Sequence, residues 1–320
     1  MANIFCTREI PRSGIRLLEQ AGHQVTVNTT SSLSQQQLLK EVKNCQALLT
    51  MLSDTIDAEF LEQCSHLKII SQFAVGYNNI DVACAKSHGI VVTNTPDVLT
   101  EATAELAFSL LLCVARKLLP ASANASAGKW TGWEPLGFLG KSLHKSTVGI
   151  IGAGRIGCEF ARMCKGAFHS DILYYSRSKK STFEQLYGAT QLQLKELVSQ
   201  SDVLSIHCPL NSETAHLFNE SLFAHVKDGA ILINTARGEI IDQDALLKVL
   251  ESNKLFGAGL DVTSPEPLPP DHKLYTFDNV VITPHIGSAT LKAREEMSLL
   301  ACTNIVNVLE GTLPLTPVTV

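Results

Sequence analysis

The sequence predicts an α/β fold built from two doubly wound, parallel-sheet (Rossmann-like) domains. Three observations carry this. Short apolar strand candidates alternate with helical stretches along most of the chain, the sign of parallel sheets covered on both faces. The alternation breaks at about residue 120 and restarts at about 147. With 320 residues the chain is long for one core and comfortable for two.

In the first half, strands are expected over 3–6, 24–27, 47–51, 68–75 and 90–93, with helices near 12–21, 34–44, 57–64 and 81–87. A long helix follows over about 100–118, with Thr100 suited to the N-cap and Pro120 just past the end. Residues 120–146 are small, polar and glycine-rich and carry both tryptophans. They read as an irregular excursion between domains or toward a partner. Strands are then expected over 147–151, 172–175, 203–207, 230–234, 256–260 and 280–283, and a last helix over about 291–309.

Composition narrows the function classes. Hydrophobic content of 45% and charged content of 18% describe an ordinary globular protein. A net charge of −5 and the lack of a long basic run argue against nucleic acid. The first residues, MANIFCTREI, carry no signal-peptide pattern. The longest apolar stretch, 106–115, is broken by Ser109 and is too short to span a bilayer. Nine scattered cysteines without a C-x-x-C pair suggest free thiols in a reducing cytoplasm. Cys158 and Cys164 share one expected helix and read as core filler, and no metal is expected.

Residues 148–157 read VGIIGAGRIG. Gly152, Gly154 and Gly157 form G-x-G-x-x-G after an apolar strand and ahead of a helix over about 155–165. That context points to dinucleotide binding. Gly152 permits the tight turn, Gly154 lets backbone approach a pyrophosphate, and Gly157 allows close helix–strand packing. The helix start, with Arg155 and Ile156, offers N–H groups to the anion. The next strand, ILYY, runs into Ser176-Arg177, where a site for NAD usually places an acid. Arg177 would instead pair with a 2′-phosphate, so NADP is preferred over NAD.

Ligands of an open parallel sheet bind beyond the carboxyl ends of its strands. There the second half places Arg237, after Thr235-Ala236; Glu266, after Asp261 and within the proline-rich SPEPLPP; and His285, after Thr283-Pro284. Beside a nicotinamide these three suit reduction of a ketone next to a carboxylate. Histidine donates the proton near neutral pH. A carboxylate on its other nitrogen fixes the ring and favours its charged form. Arginine grips the substrate carboxylate and polarises the carbonyl. In the first half, N–H groups of Val75 and Gly76, with Leu52 and Ser53 nearby, are candidates to bind the same carboxylate.

The motifs VGIIGAGRIG, INTARGEIID, GLDVTSPEPLP and TPHIGSAT resemble, in order, the signatures of the D-isomer-specific 2-hydroxyacid dehydrogenase family, over nearly the whole chain. The resemblance implies Arg237, Glu266 and His285 as the catalytic set. It implies a discontinuous substrate-binding domain, 1–99 and 288–320, with the dinucleotide-binding domain, 100–287, inserted and the helices near both junctions acting as hinges. Closure would keep water from the hydride path. Cofactor contacts are then expected at Cys208, Pro209 and Thr214, at Thr235, Ala236 and Asp261, and at Gly287, and a substrate contact at Ser288. Cys208 stands where family members often carry a polar residue such as Thr, which puts a side-chain contact there in doubt. Within the family the stretches TPDVLTEATAELAFSLLL and GKWTGWEPL are most similar to glyoxylate/hydroxypyruvate reductases. That subgroup implies NADPH, a homodimer, and a tryptophan, here Trp133, that reaches the partner's active site; an interface or core anchor is the alternative. Other readings stay open: an NAD-dependent dehydrogenase of another D-2-hydroxy acid, and a dinucleotide-sensing module like the family's transcriptional corepressor relative.

Overall fold

A computed structural model describes residues 1–30 and 32–319. The chain divides into two compact units, Met1–Leu99 with Ser288–Val320, and Thr100–Gly287. Residue 320, the end of the expected substrate-binding segment, lies outside the described residues.

Unit 1 opens with β1 (Asn3–Cys6), α1 (Arg12–Gln20), β2 (Gln24–Val27), α2 (Gln35–Val42), β3 (Ala47–Thr50), α3 (Ala58–Gln63), β4 (Ile69–Gln72), α4 (Val82–Ser87) and β5 (Val91–Thr93). The strands form one parallel sheet in the order β2-β1-β3-β4-β5. Leu48, Leu49, Ile69 and Ile70 are fully buried, as strands covered on both faces require. Ser34 starts α2 through a capping box with Gln37, and Asp57 and Asp81 cap α3 and α4. The order reverses between β1 and β3, so the ends of those strands frame a ligand crevice. The strand expected over 68–75 stops at Gln72, whose side chain donates to the carbonyl of Gly76 and turns the chain.

Unit 2 runs through α5 (Thr100–Ala115), α6 (Leu118–Ser126), β6 (Thr147–Ile151), α7 (Arg155–Phe168), β7 (Asp171–Tyr175), α8 (Ser181–Tyr187), β8 (Thr190–Gln191), α9 (Leu194–Gln200), β9 (Val203–Ile206), α10 (Glu220–Phe223), β10 (Ala230–Asn234), α11 (Gln243–Glu251), β11 (Leu255–Leu260) and β12 (Val280–Ile282). Its parallel sheet has the order β12-β11-β10-β9-β6-β7-β8, reversing between β6 and β9. β8 is a two-residue strand, too short to leave a periodic pattern.

The single helix expected over 100–118 is two helices. Lys117 takes a left-handed φ of 50° and breaks the ladder. Thr100 is the first helical residue rather than the cap, and Pro120 sits in the first turn of α6, where its missing N–H has no partner to lose. The excursion is therefore irregular only from about residue 127. Its tryptophans are not core residues: Trp130 is 73% and Trp133 86% exposed.

No single helix among the described residues is long and apolar enough to cross a membrane. The bent pair α5–α6 passes by length and composition, but Leu110, Leu111 and Val114 of α5 are buried in the core of unit 2. All nine cysteines are free thiols, and Cys164 fills the core beside Phe160.

The last helix, α12 (Leu291–Leu309), belongs to unit 1 and packs on α1 and β4. Ser298 Oγ donates to Pro11 O and Ser71 Oγ to Ala301 O. Asn304, fully buried, accepts from the amides of Leu315 and Thr316 and donates to Thr316 Oγ1. These bonds hold the C-terminal tail beside β5. Asn304→Ala leaves the amides of Leu315 and Thr316 without partners and is expected to cost about 1–3 kcal/mol. The check is a lower midpoint of thermal unfolding.

Candidate active site

The glycine loop closes the switch point of the unit 2 sheet. Gly152 has a φ of +100°, and a Cβ there would lie 2.5 Å from the Cys208 nitrogen at the end of β9. At Gly157 a Cβ would lie 2.4 Å from the Gly152 carbonyl oxygen, so α7 packs directly on the loop. Nothing lies within 4 Å of the position a Cβ would take at Gly154. That opening, at the start of a 14-residue helix, leaves room for a ligand beside the positive end of the helix.

Beyond β10, buried Asn234 shapes the arginine turn. Its Oδ1 accepts from Ala236 N at 2.9 Å and its Nδ2 donates to Arg237 O at 2.8 Å. Arg237 Nη1 donates to Ala236 O at 2.7 Å. Burial lowers the Arg237 pKa, opposed by the charges of Glu266 and Glu239. Thr235 Oγ1 is buried without a hydrogen-bond partner among the described residues. Gly238 brings this turn onto the glutamate loop: a Cβ there would fall 2.0 Å from the Thr263 carbonyl oxygen.

Beyond β11, Glu266 stands between Pro265 and Pro267, each preceded by a cis peptide bond. Beyond β12, His285 adopts a left-handed φ of 53°, uncommon for a residue with a side chain. Asp261 holds it there. The Asp261 carboxyl, 1% exposed, accepts from Thr283 Oγ1 at 2.7 Å and from the amides of Ile286 and Gly287, each at 2.8 Å. His285 N donates to Asp261 O at 3.0 Å. Burial raises the Asp261 pKa despite those bonds and the His285 charge.

The two loops bring Nδ1 of His285 to 2.6 Å from Oε1 of Glu266. An ionised carboxylate only accepts, so Nδ1 carries the proton and Nε2 is left for other chemistry. Burial pushes the Glu266 carboxyl up. The His285 hydrogen bond and charge, the Thr263 N–H and Arg237 outweigh it, and the net pKa lies below the ordinary glutamate value.

The family model for the D-isomer specific 2-hydroxyacid dehydrogenase NAD binding domain matches residues 108–287. A glyoxylate reductase of Thermococcus litoralis is 44% identical over 315 residues, 97% of this chain and 95% of its own. The chain belongs to the D-isomer specific 2-hydroxyacid dehydrogenase family. A crystal structure of a Thermus thermophilus protein superimposes with a TM-score of 0.93 at 42% identity, covering 99% of this chain and all of that one. The NADPH-dependent glyoxylate/hydroxypyruvate reductase of Sinorhizobium meliloti, solved with NADP and malonate, gives 0.88 at 30% identity, covering 99% of this chain and 97% of its own.

Most of unit 2 is thus the family's NAD binding domain. The open flank of Gly154 and the unpartnered Thr235 hydroxyl fit a dinucleotide. At the adjoining loop the Cys208 backbone, not its side chain, meets the glycine turn, and burial pushes the thiol up to about 11. Pro209 follows, its carbonyl tied to Thr214 Oγ1 at 2.7 Å. Gly287 closes on Asp261, and Ser288 begins the second segment of unit 1, accepting from Thr290 N at 2.9 Å.

Sequence reasoning passed over three features of unit 2. Asn234 carried no signal, because a polar residue closing an apolar strand reads equally well as a loop residue. His207 reads only as the end of the strand expected over 203–207. Its Nε2 lies 2.8 Å from Ser205 Oγ, and burial pushes it down to about 3, so it stays neutral. A recess of about 430 Å³ lined by Tyr175, Leu194, Lys195 and Leu217 opens beyond β7 and cannot be read from spacing.

In unit 1, Val75 O accepts from Asn94 Nδ2 at 2.8 Å and Gly76 O from Gln72 Nε2 at 3.2 Å. The N–H groups of Val75, Gly76, Leu52 and Ser53 have no partner among the described residues.

Asp261→Asn sets an NH2 group against a donor of the His285 loop. It is expected to cost about 1–3 kcal/mol and to speed amide exchange at Ile286 and Gly287. Exchange that stays as slow as in the wild type would show that the carboxyl does not hold the loop.

Proposed function

We propose that this chain is an NADPH-dependent reductase of small 2-keto acids, glyoxylate and hydroxypyruvate foremost, with His285 as proton donor. The 2.6 Å pairing of His285 Nδ1 with Glu266, beyond the same strand ends as Arg237, carries the reading. A bound nicotinamide supplies the hydride. Glu266 accepts a hydrogen bond from Nδ1–H, which orients Nε2–H toward the oxygen that gains charge. Arg237 grips the substrate carboxylate and stabilises that charge. The N–H groups of Val75 and Gly76 are assigned to binding a substrate carboxylate, and Leu52 and Ser288 are assigned as further substrate contacts. His207 suits the role less well, because burial disfavours its charged form and its Nε2 is engaged by Ser205 Oγ at 2.8 Å. The names of the relatives, glyoxylate reductase and NADPH-dependent glyoxylate/hydroxypyruvate reductase, support the substrate class.

For the cofactor, no acid follows β7, and Arg177 is exposed with no carboxylate partner among the described residues. Ser176 O is pinned by Gln191 Nε2 at 2.9 Å. The missing acid and the exposed Arg177 favour a 2′-phosphate. The exposure of Trp130, Trp133 and Leu136 supports a homodimer in which this arm meets a second copy.

The direct test is kcat/KM for hydroxypyruvate, glyoxylate and pyruvate, each with NADPH and NADH. Preference for the first two with NADPH is expected. Turnover confined to NADH or to a bulkier acid favours a dehydrogenase of another D-2-hydroxy acid. Cofactor binding with no turnover favours the sensing module. Arg177→Ala is expected to weaken NADPH by roughly 10–100-fold and NADH little; equal losses would remove Arg177 from the phosphate.

Glu266 ionises below the ordinary range, so the pair persists as pH falls through that range and is lost only below it. Glu266→Gln removes the negative charge beside Nδ1. The alkaline limb of the reduction rate is then expected to move to lower pH. A limb that stays in place means the carboxylate does not tune the acid.

A further inference from the structure

The sheet of unit 1 ends in a polar network that the catalytic reading does not use. Asn79 Nδ2 donates to Met51 O at 3.1 Å and to Asp54 O at 2.8 Å, and its Oδ1 accepts from Gln72 Nε2 at 2.8 Å. Gln72, fully buried, also donates to Gly76 O and accepts from Thr50 Oγ1 at 2.7 Å. Asp54, 6% exposed, accepts from Thr7 Oγ1 and from Met51 N at 2.8 Å. The carboxamide of Asn79 therefore joins two loops, 51–54 after β3 and 73–79 after β4. Among the described residues the side-chain bonds of the network run to carbonyls, carboxyls or the Met51 amide, never to the N–H groups of Leu52, Ser53, Val75 or Gly76. These loops stand at and beside the switch point of the sheet, between β1 and β3.

We propose that Asn79 is a positioning residue for the substrate carboxylate: through Gln72 it holds the two loops at one spacing, so that their open N–H groups converge on a single anion. This rests on the assignment of Val75 and Gly76 to the substrate under the proposed function. Asn79 touches no reacting atom. It fixes the Met51 carbonyl and so aims the Leu52 amide that follows it, and through Gln72, which holds the Gly76 carbonyl, it sets the course of the loop that carries Val75 and Gly76. Aspartate cannot replace it, because a carboxylate offers no donor to the Met51 and Asp54 carbonyls and is repelled by both.

The experiment is steady-state kinetics of Asn79→Ala with glyoxylate, inhibition by oxamate, and the dissociation constant of NADPH. The expected result is a KM and an oxamate Ki both raised about tenfold, kcat within roughly threefold, and NADPH affinity unchanged. A merely structural role would lower kcat and cofactor affinity together, or leave KM alone, and either result overturns the proposal. Thr50→Val frees Gln72 Oε1 with almost no change of shape and serves if Asn79→Ala does not fold. It should raise KM about threefold with the same split, and an unchanged KM overturns the proposal equally. A wild-type protein that reduces no 2-keto acid overturns the site reading itself. A wild type that turns over while both variants keep its KM overturns only the role of Asn79.

Discussion

The Asp261 carboxyl is buried, and the chain that follows β12 folds around it. Three donors within five residues, Thr283 Oγ1 and the amides of Ile286 and Gly287, converge on its two oxygens. A single buried acceptor thus bends the backbone tightly enough to put His285 in the left-handed region. Backbone strain of that kind persists only where surrounding bonds over-determine it. Everything else in the histidine's environment follows: the ring reaches Glu266, the tautomer is set, and Gly287 closes against the carboxyl.

The same device recurs at other strand ends. Asn234 at the end of β10, Asp261 after β11 and Gln72 at the end of β4 are all at most 1% exposed; Asn234 and Gln72 spend their side chains on the loop that follows, and Asp261 on the loop after the neighbouring strand β12. A buried polar group left unpaired costs as much as a lost hydrogen bond, so each loop is locked to its strand as firmly as the sheet is locked to itself. Mobile loops thereby become rigid extensions of a rigid sheet. Close backbone approach completes the arrangement, since only glycine at 238 lets the arginine turn lie on the carbonyl of Thr263.

Much of this was legible. Apolar runs give the strands of a parallel sheet because burial on both faces leaves no polar alternation to hide them. The last helix begins and ends where periodicity places it. The break at Lys117 was not legible, because nothing in a lysine between two helical stretches announces a left-handed backbone. β8 was missed because two residues carry no period. Among site residues, Arg237, Glu266 and His285 stood out because charged groups directly after apolar strands need a reason to be there. Asn79 and Gln72 did not, because an amide side chain has the same meaning in a loop as in a network until its partners are known.

By itself the sequence determined the class of fold, the order of its elements, the glycine loop and the three polar residues at strand ends, since each is a local pattern of burial or backbone freedom. It also determined the family, because ordered motifs survive without coordinates. Only the tertiary structure decided the distances: the 2.6 Å between His285 and Glu266, the contact of Gly238 with Thr263, and the carboxamide tie between residues 51–54 and 73–79. These join segments far apart in the chain, and hydrogen-bond geometry is a property of positions in space that no spacing along the chain encodes.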